Sequence, residues 1–295
     1  MTQFSFPSGI HVPLITPFMA DGGIAAKALE ALAHTVLDEG ADGIVALGTT
    51  AEAAALDARE KAAVVDVCAR VCRERGAPLT IGAAGGDTRA TAQELAGHAA
   101  RWPEAAAALV PVPAFSRPGA AGVVAHFAHL AEHSPLPLII YHVPYRTAQP
   151  LDAATLRAVG EHPKVRGVKL ATGCIDQDTV DLLGDLPTGF AVLAGDDVLL
   201  SALLALGAAG GILASAHLAT SRFVALAAAW RDGDLKRARD LAPALARLSA
   251  AAFGEPNPAV VKGVLHAQGL IPTPDVRLPL LPARRESVDA VLGQL

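Results

Sequence analysis

A lysine set in an apolar strand pattern is the first candidate for chemistry in this chain of 295 residues. The run Val165-Arg166-Gly167-Val168-Lys169-Leu170 reads as a buried parallel strand with Lys169 near its end. Burial disfavours the ammonium form, and the free amine attacks a carbonyl carbon to form an imine. The same pattern also fits a lysine buried in an ion pair with a carboxylate. Lys27, Lys61, Lys164, Lys236 and Lys262 fall in helical or turn patterns, where a solvated surface role is the default. A second apolar run, Leu138 to Tyr141, continues as His142-Val143-Pro144-Tyr145-Arg146-Thr147. Imine formation moves protons on and off a carbinolamine oxygen, and the Tyr141 phenol is a group able to pass them. Taken alone, Tyr141 also fits an amphipathic core position. Arg146 offers a planar fork suited to a carboxylate, or an ordinary surface charge. Gly48-Thr49-Thr50 follows a third apolar run, and its amides and hydroxyls suit a carboxylate cradle as well as a plain turn. The ten histidines are scattered without metal-ligand spacing. His11, His142 and His217 read as hydrogen-bonded core or rim residues near strand ends, and neither a metal nor another cofactor is expected.

These residues need a scaffold that gathers strand ends. Eight short runs rich in Val, Ile and Leu can be placed: His11 to Thr16, Gly43 to Leu47, Leu79 to Gly82, Ala108 to Val112, Leu138 to Tyr141, Val165 to Leu170, Phe190 to Ala194 and Gly211 to Ala214. Helical stretches such as Ala25 to Glu39, Asp57 to Arg75, Thr88 to Arg101 and Gly122 to His133 lie between them, preceded by turn or capping residues. Repeated βα units of this number predict an α/β fold, a (β/α)8 TIM barrel, whose reactive groups lie at the C-terminal ends of the strands. A doubly wound open sheet shares the alternation, but the first strand leads into TPFMADGG, with no GxGxxG opening a helix. After residue 220 only helical patterns remain, at Val224 to Trp230, Leu235 to Ala252, Pro258 to Gln268 and Glu286 to Leu292. The expected organisation is a barrel over residues 1–220 and a C-terminal helical appendage over 221–295. No charged side chain lies between Asp197 and His217, but Gly207, Gly210 and Gly211 interrupt that segment where a helix ends and a buried strand begins.

Composition narrows the function classes. An apolar fraction of 52% against 18% charged predicts a well-buried core, and a net charge of −5 without a basic run gives no footprint for nucleic acid or an anionic membrane. A small solute is the expected partner. Three cysteines, Cys68, Cys72 and Cys174, are too few for a disulfide framework and fit a reducing cytoplasm. The start MTQFSFPSGI lacks the basic and apolar regions of a secretory signal and is read as mature sequence.

Five segments in order resemble the dihydrodipicolinate synthase and N-acetylneuraminate lyase superfamily of class I, pyruvate-dependent aldolases: GTTAE, YHVPYRT, VKLATG, AGDD and EPNPAVVK. The likeness runs from TPF near residue 16 to RLPL near residue 277. It implies that Lys169 forms the imine and Tyr141 relays its protons. Thr49 and Thr50, following Gly48, would share the relay and the grip on the pyruvate carboxylate. Arg146 would receive the carboxylate of a second substrate, and Ile212 would line the pocket. Arg146 together with EPNP resembles the synthase branch, which condenses pyruvate with aspartate semialdehyde, and a homotetramer built as a dimer of dimers is the family habit.

Some positions depart from the family. The loop that resembles the tyrosine-donating PYYNRP reads Pro113-Ala114-Phe115-Ser116-Arg117-Pro118, so Phe115 keeps the ring and loses the hydroxyl. Ala51 and Leu170 replace a glycine and a glutamate. Ala58, Gly86, Ala90 and Ala114 fall where the resemblance places a lysine feedback site, and none can grip an amino acid's charges. Two further readings stand beside the synthase: cleavage or dehydration of a 2-oxo-3-deoxy sugar acid through the same imine, favoured by Phe115, and a non-catalytic 2-oxo acid binding protein.

Overall fold

The computed structural model describes residues 7–295. The segment on which the N-terminal expectation chiefly rests, residues 1–6, lies outside the described residues. Eight strands form where the apolar runs predict them: β1 (Gly9–Pro13), β2 (Gly43–Ala46), β3 (Leu79–Gly82), β4 (Ala107–Pro111), β5 (Leu138–His142), β6 (Val165–Leu170), β7 (Ala191–Ala194) and β8 (Gly210–Ile212). They hydrogen-bond in chain order and the sheet closes on itself, giving the (β/α)8 barrel. Pairing is parallel in β1–β2 and from β3 through β8. Most strand residues are buried, so the strands read as largely apolar sequence without alternation.

The helices are α1 (Ala26–Asp38), α2 (Ala58–Arg75), α3 (Thr88–Arg101), α4 (Gly119–His133), α5 (Pro144–Thr147), α6 (Ala153–Gly160), α7 (Gln177–Gly184), α8 (Leu200–Ala205), α9 (Ala216–Arg231), α10 (Leu235–Ala252), α11 (Ala259–Ala267) and α12 (Arg285–Leu292). Aspartates start many of them. Asp57, Asp87, Asp152, Asp176 and Asp234 each accept a backbone N–H from the third residue of the following helix, satisfying a donor that would otherwise lack a partner. At α2 the cap is reciprocal, because Glu60 reaches back to the Asp57 N–H and Gly76 closes the other end with φ +64°.

The described residues form two compact units, one of residues 7–9 with 80–211, the other of residues 10–79 with 212–295. The second contains the C-terminal helices, and Ile15, Leu32, Ala252, Val261, Leu265 and Ile271 form an apolar cluster within it. The boundary expected at 220/221 falls inside α9, just past a kink at Ala219. The uncharged segment Asp197 to His217 forms a short turn, α8 and β8. Among the described residues no helix is long and apolar enough to cross a membrane.

Candidate active site

Strand register decides which side chains meet in the first unit. Tyr141 on β5 pairs with Lys169 on β6, and equivalent positions on adjacent parallel strands present their side chains to the same face. The Lys169 Nζ lies 4.4 Å from the centre of the Tyr141 ring. Both are buried, at 7% and 9% exposure, and among the described residues Lys169 makes no ion pair. The amine is thus largely withdrawn from water, and no carboxylate among the described residues pairs with it. Gly195, just beyond β7, makes room for it, since a Cβ there would lie 2.9 Å from the Lys169 Cγ. The next residue, Asp196, accepts the Gly173 N–H at 2.6 Å. Burial raises its carboxyl above the usual range, while the Gly173 hydrogen bond and the Lys169 charge pull the other way.

The loop after β5 carries the remaining groups of this unit. Pro144 opens the short helix α5, which leaves Arg146 exposed with its guanidinium 4.9 Å from the Tyr145 ring centre. The Tyr145 phenol is pushed up by partial burial, with Arg146 opposing and Tyr141 and Asp196 also acting on it. Phe115 stands in the loop after β4 at φ +65°, fully exposed at 102%. His142 and Leu170 are buried, and burial pulls the imidazole down to about 4.

In the second unit the Gly48-Thr49-Thr50 segment follows β2. It is flanked by two residues in the left-handed region, Leu47 and Glu52, each at φ 55°. Such a backbone costs about 1–3 kcal/mol at a non-glycine residue and persists where surrounding contacts hold it. Those contacts are present. Thr16 donates its hydroxyl to the Ala51 carbonyl at 2.7 Å, and Asn257 donates its side-chain amide to the Thr50 hydroxyl at 2.9 Å. Glu52 is buried and bonded to Lys262. Thr49 is exposed, Thr50 buried, and Ile212, the last residue of β8, is 1% exposed. His217 acts as a core residue, accepting the Ile15 N–H at Nε2 and donating from Nδ1 to the Ala214 carbonyl at 2.8 Å.

Lys262 corrects the expectation that it is a surface lysine. It has 0% exposure in the middle of α11, whose residues from Ala259 to Leu265 are all buried. Lys164 is half-buried and bonded to the Ser134 carbonyl. Among the described residues no group of His, Cys, Asp and Glu is arranged to hold a metal ion.

The model of the dihydrodipicolinate synthetase family matches residues 6–295. The chain belongs to that family. A 4-hydroxy-tetrahydrodipicolinate synthase of Moorella thermoacetica is 36% identical over 97% of this chain and 96% of its own length. One from Neisseria meningitidis is 36% identical over 93% and 92%. Among solved structures, the chloride-inhibited dihydrodipicolinate synthase of Acinetobacter baumannii, complexed with pyruvate, is 33% identical with a TM-score of 0.91, covering 97% of both chains. The Cyanidioschyzon merolae enzyme with lysine bound is 25% identical, with a TM-score of 0.91 over 97% of this chain and 96% of that one. As a dihydrodipicolinate synthetase family member, the chain is a class I lyase, working through a lysine Schiff base.

Proposed function

We propose that this enzyme condenses pyruvate with aspartate semialdehyde, and that Lys169 is its Schiff-base lysine. The observation that carries the assignment is a buried amine, free of any ion pair among the described residues, register-paired with a tyrosine. The Lys169 amine adds to the keto carbon of pyruvate, the carbinolamine loses water, and the imine then yields an enamine by losing a proton from the methyl carbon. Tyr141 passes protons to and from the carbinolamine oxygen. Thr49 and Thr50, with the Gly48 backbone, share that relay and hold the pyruvate carboxylate, and Ile212 supplies apolar surface. Arg146, exposed on the loop after β5, takes the carboxylate of the second substrate. We propose a homotetramer, a dimer of dimers, in the cytoplasm.

Borohydride reduction in the presence of pyruvate, read by intact mass, tests the assignment. The wild type gains covalent mass at Lys169, and a chain that gains none is a binder without imine chemistry.

Phe115 favours a second reading, cleavage or dehydration of a 2-oxo-3-deoxy sugar acid through the same imine. A ring without a hydroxyl stands where the synthase resemblance places a proton donor. Coupled assays with aspartate semialdehyde and with a panel of other aldehydes separate the two.

A further inference from the structure

Three side chains outside the proposed chemistry converge on the turn that carries Thr49 and Thr50. Glu52 ends that turn in a left-handed conformation, and its carboxylate is bonded at both oxygens. One accepts from the Lys262 Nζ at 2.5 Å and the other from the Arg277 N–H at 2.7 Å. Lys262 also donates to the Asp275 carbonyl at 2.7 Å and lies 4.0 Å from the centre of the Phe18 ring. Arg277 is anchored in turn, donating to both Glu60 carboxylate oxygens and to the carbonyls of Ala55 and Gly22. An ion pair this deeply buried is a weak source of stability, because desolvating two charges offsets their attraction. Its bonds are nonetheless directional and hold Glu52 in a conformation it would not adopt unaided.

Asn257 adds a second constraint. Its amide donates to the Thr50 hydroxyl oxygen, while its own Oδ1 is buried without a hydrogen-bond partner among the described residues. A hydroxyl has one proton to give, so a threonine that accepts from an amide keeps that proton for another acceptor. A carboxylate accepts only.

We infer that Asn257, Glu52 and Lys262 are positioning residues for the carboxylate of the 2-oxo acid: Asn257 makes the Thr50 hydroxyl a donor, and the Lys262–Glu52 pair fixes the turn that presents it. This rests on the pyruvate reading above. It also explains why a helix as apolar as α11 carries a charge, since a hydrophobic residue at 262 would pack there without holding Glu52.

The test is borohydride trapping as a function of pyruvate concentration, with urea unfolding of the same variants. Loss of one hydrogen bond that orients a group toward a charged ligand predicts a half-saturating pyruvate concentration about tenfold higher in Asn257→Ala, at a maximal trapping rate within about twofold of wild type. Asn257→Asp, whose carboxylate competes for the Thr50 proton, shifts it further. Lys262→Met alone leaves Glu52 buried without a cation and unfolds easily. The double variant Glu52→Gln/Lys262→Met removes both charges; it recovers the wild-type unfolding midpoint while keeping the raised half-saturation. Wild-type half-saturation in the Asn257 variants and the double variant overturns the inference alone. A wild type that traps no pyruvate overturns the functional reading and the inference together.

Discussion

Tyr141 and Lys169 occupy matching positions on adjacent parallel strands, with the lysine nitrogen 4.4 Å from the centre of the phenol ring. Register alone thus sets a phenol beside the amine, without relying on a loop.

Substitutions at the pair separate their roles. Lys169→Ala loses all pyruvate-dependent mass in the borohydride trap. Tyr141→Phe still gains that mass, at a rate about 10²- to 10⁴-fold lower, the usual contribution of a positioned acid–base group. Quenched-flow trapping measures both. An unchanged rate in Tyr141→Phe removes the phenol from the relay.

The chain has 2 tyrosines, so with Phe115 lacking a hydroxyl the only phenol beyond Tyr141 that one chain can supply is Tyr145. Partial burial raises its phenol above the ordinary range against the pull of Arg146, and Tyr141 and Asp196 raise it further. Tyr145→Phe is expected to lower the condensation rate by about 10²-fold, the lower end for a proton-transfer group, and Phe115→Tyr to offset part of that loss in the double variant. Steady-state rates with aspartate semialdehyde decide it, and a wild-type rate in Tyr145→Phe assigns the second transfer to water.

Added lysine is expected to leave the initial rate unchanged. Ala58, Gly86, Ala90 and Ala114 carry no charge and no side-chain hydrogen-bonding group, so an amino acid's ammonium and carboxylate meet no partner there. A lysine titration of the initial rate is the check, and a saturable fall counts against the expectation.

Acid should unfold the protein through its buried histidines. Burial lowers His142 and His217 to about 4, with Asp176 opposing at His142 and the Ala214 hydrogen bond opposing at His217. In the unfolded chain both protonate near the ordinary value of 6.5. Between those values the unfolded state binds more protons, so stability rises with pH; it is fully present above about 6.5 and is lost as pH falls toward about 4. Each residue contributes on the order of 3 kcal/mol to that loss. Urea midpoints measured from pH 7 down to 4 should fall steeply for wild type and less steeply for His142→Asn. Parallel slopes would show that His142 does not resist protonation in the fold.

The strands were legible because burial on both faces makes each one a short apolar run, and turn residues mark where it stops. The ends moved where apolar sequence outlasts the ladder: beyond β1 the Leu14 N–H still reaches the Val45 carbonyl of β2, but Ile15 donates to His217 and Thr16 to the Ala51 carbonyl, and all three stay buried. Lys169 was legible as a charge in a strand pattern. Lys262 carries the same signal, a lone charge in Ala259-Val260-Val261-Lys262-Gly263-Val264-Leu265, yet helical context suggested a solvated face. The all-apolar neighbours on every side of that turn were the mark of burial. The Asn257 bond to Thr50 spans 207 residues and leaves no local pattern at either end.

Glu52 and Lys262 stand 210 residues apart in the chain. A ribosome adding about 5–20 residues per second delivers the lysine roughly 10–40 s after the glutamate it must neutralise. Until then Glu52 lacks the cation that its carboxylate meets in the finished fold. A chain that stops short of residue 262, even one containing every strand, leaves the Glu52 carboxylate without its cation, which is costly wherever that carboxylate is buried.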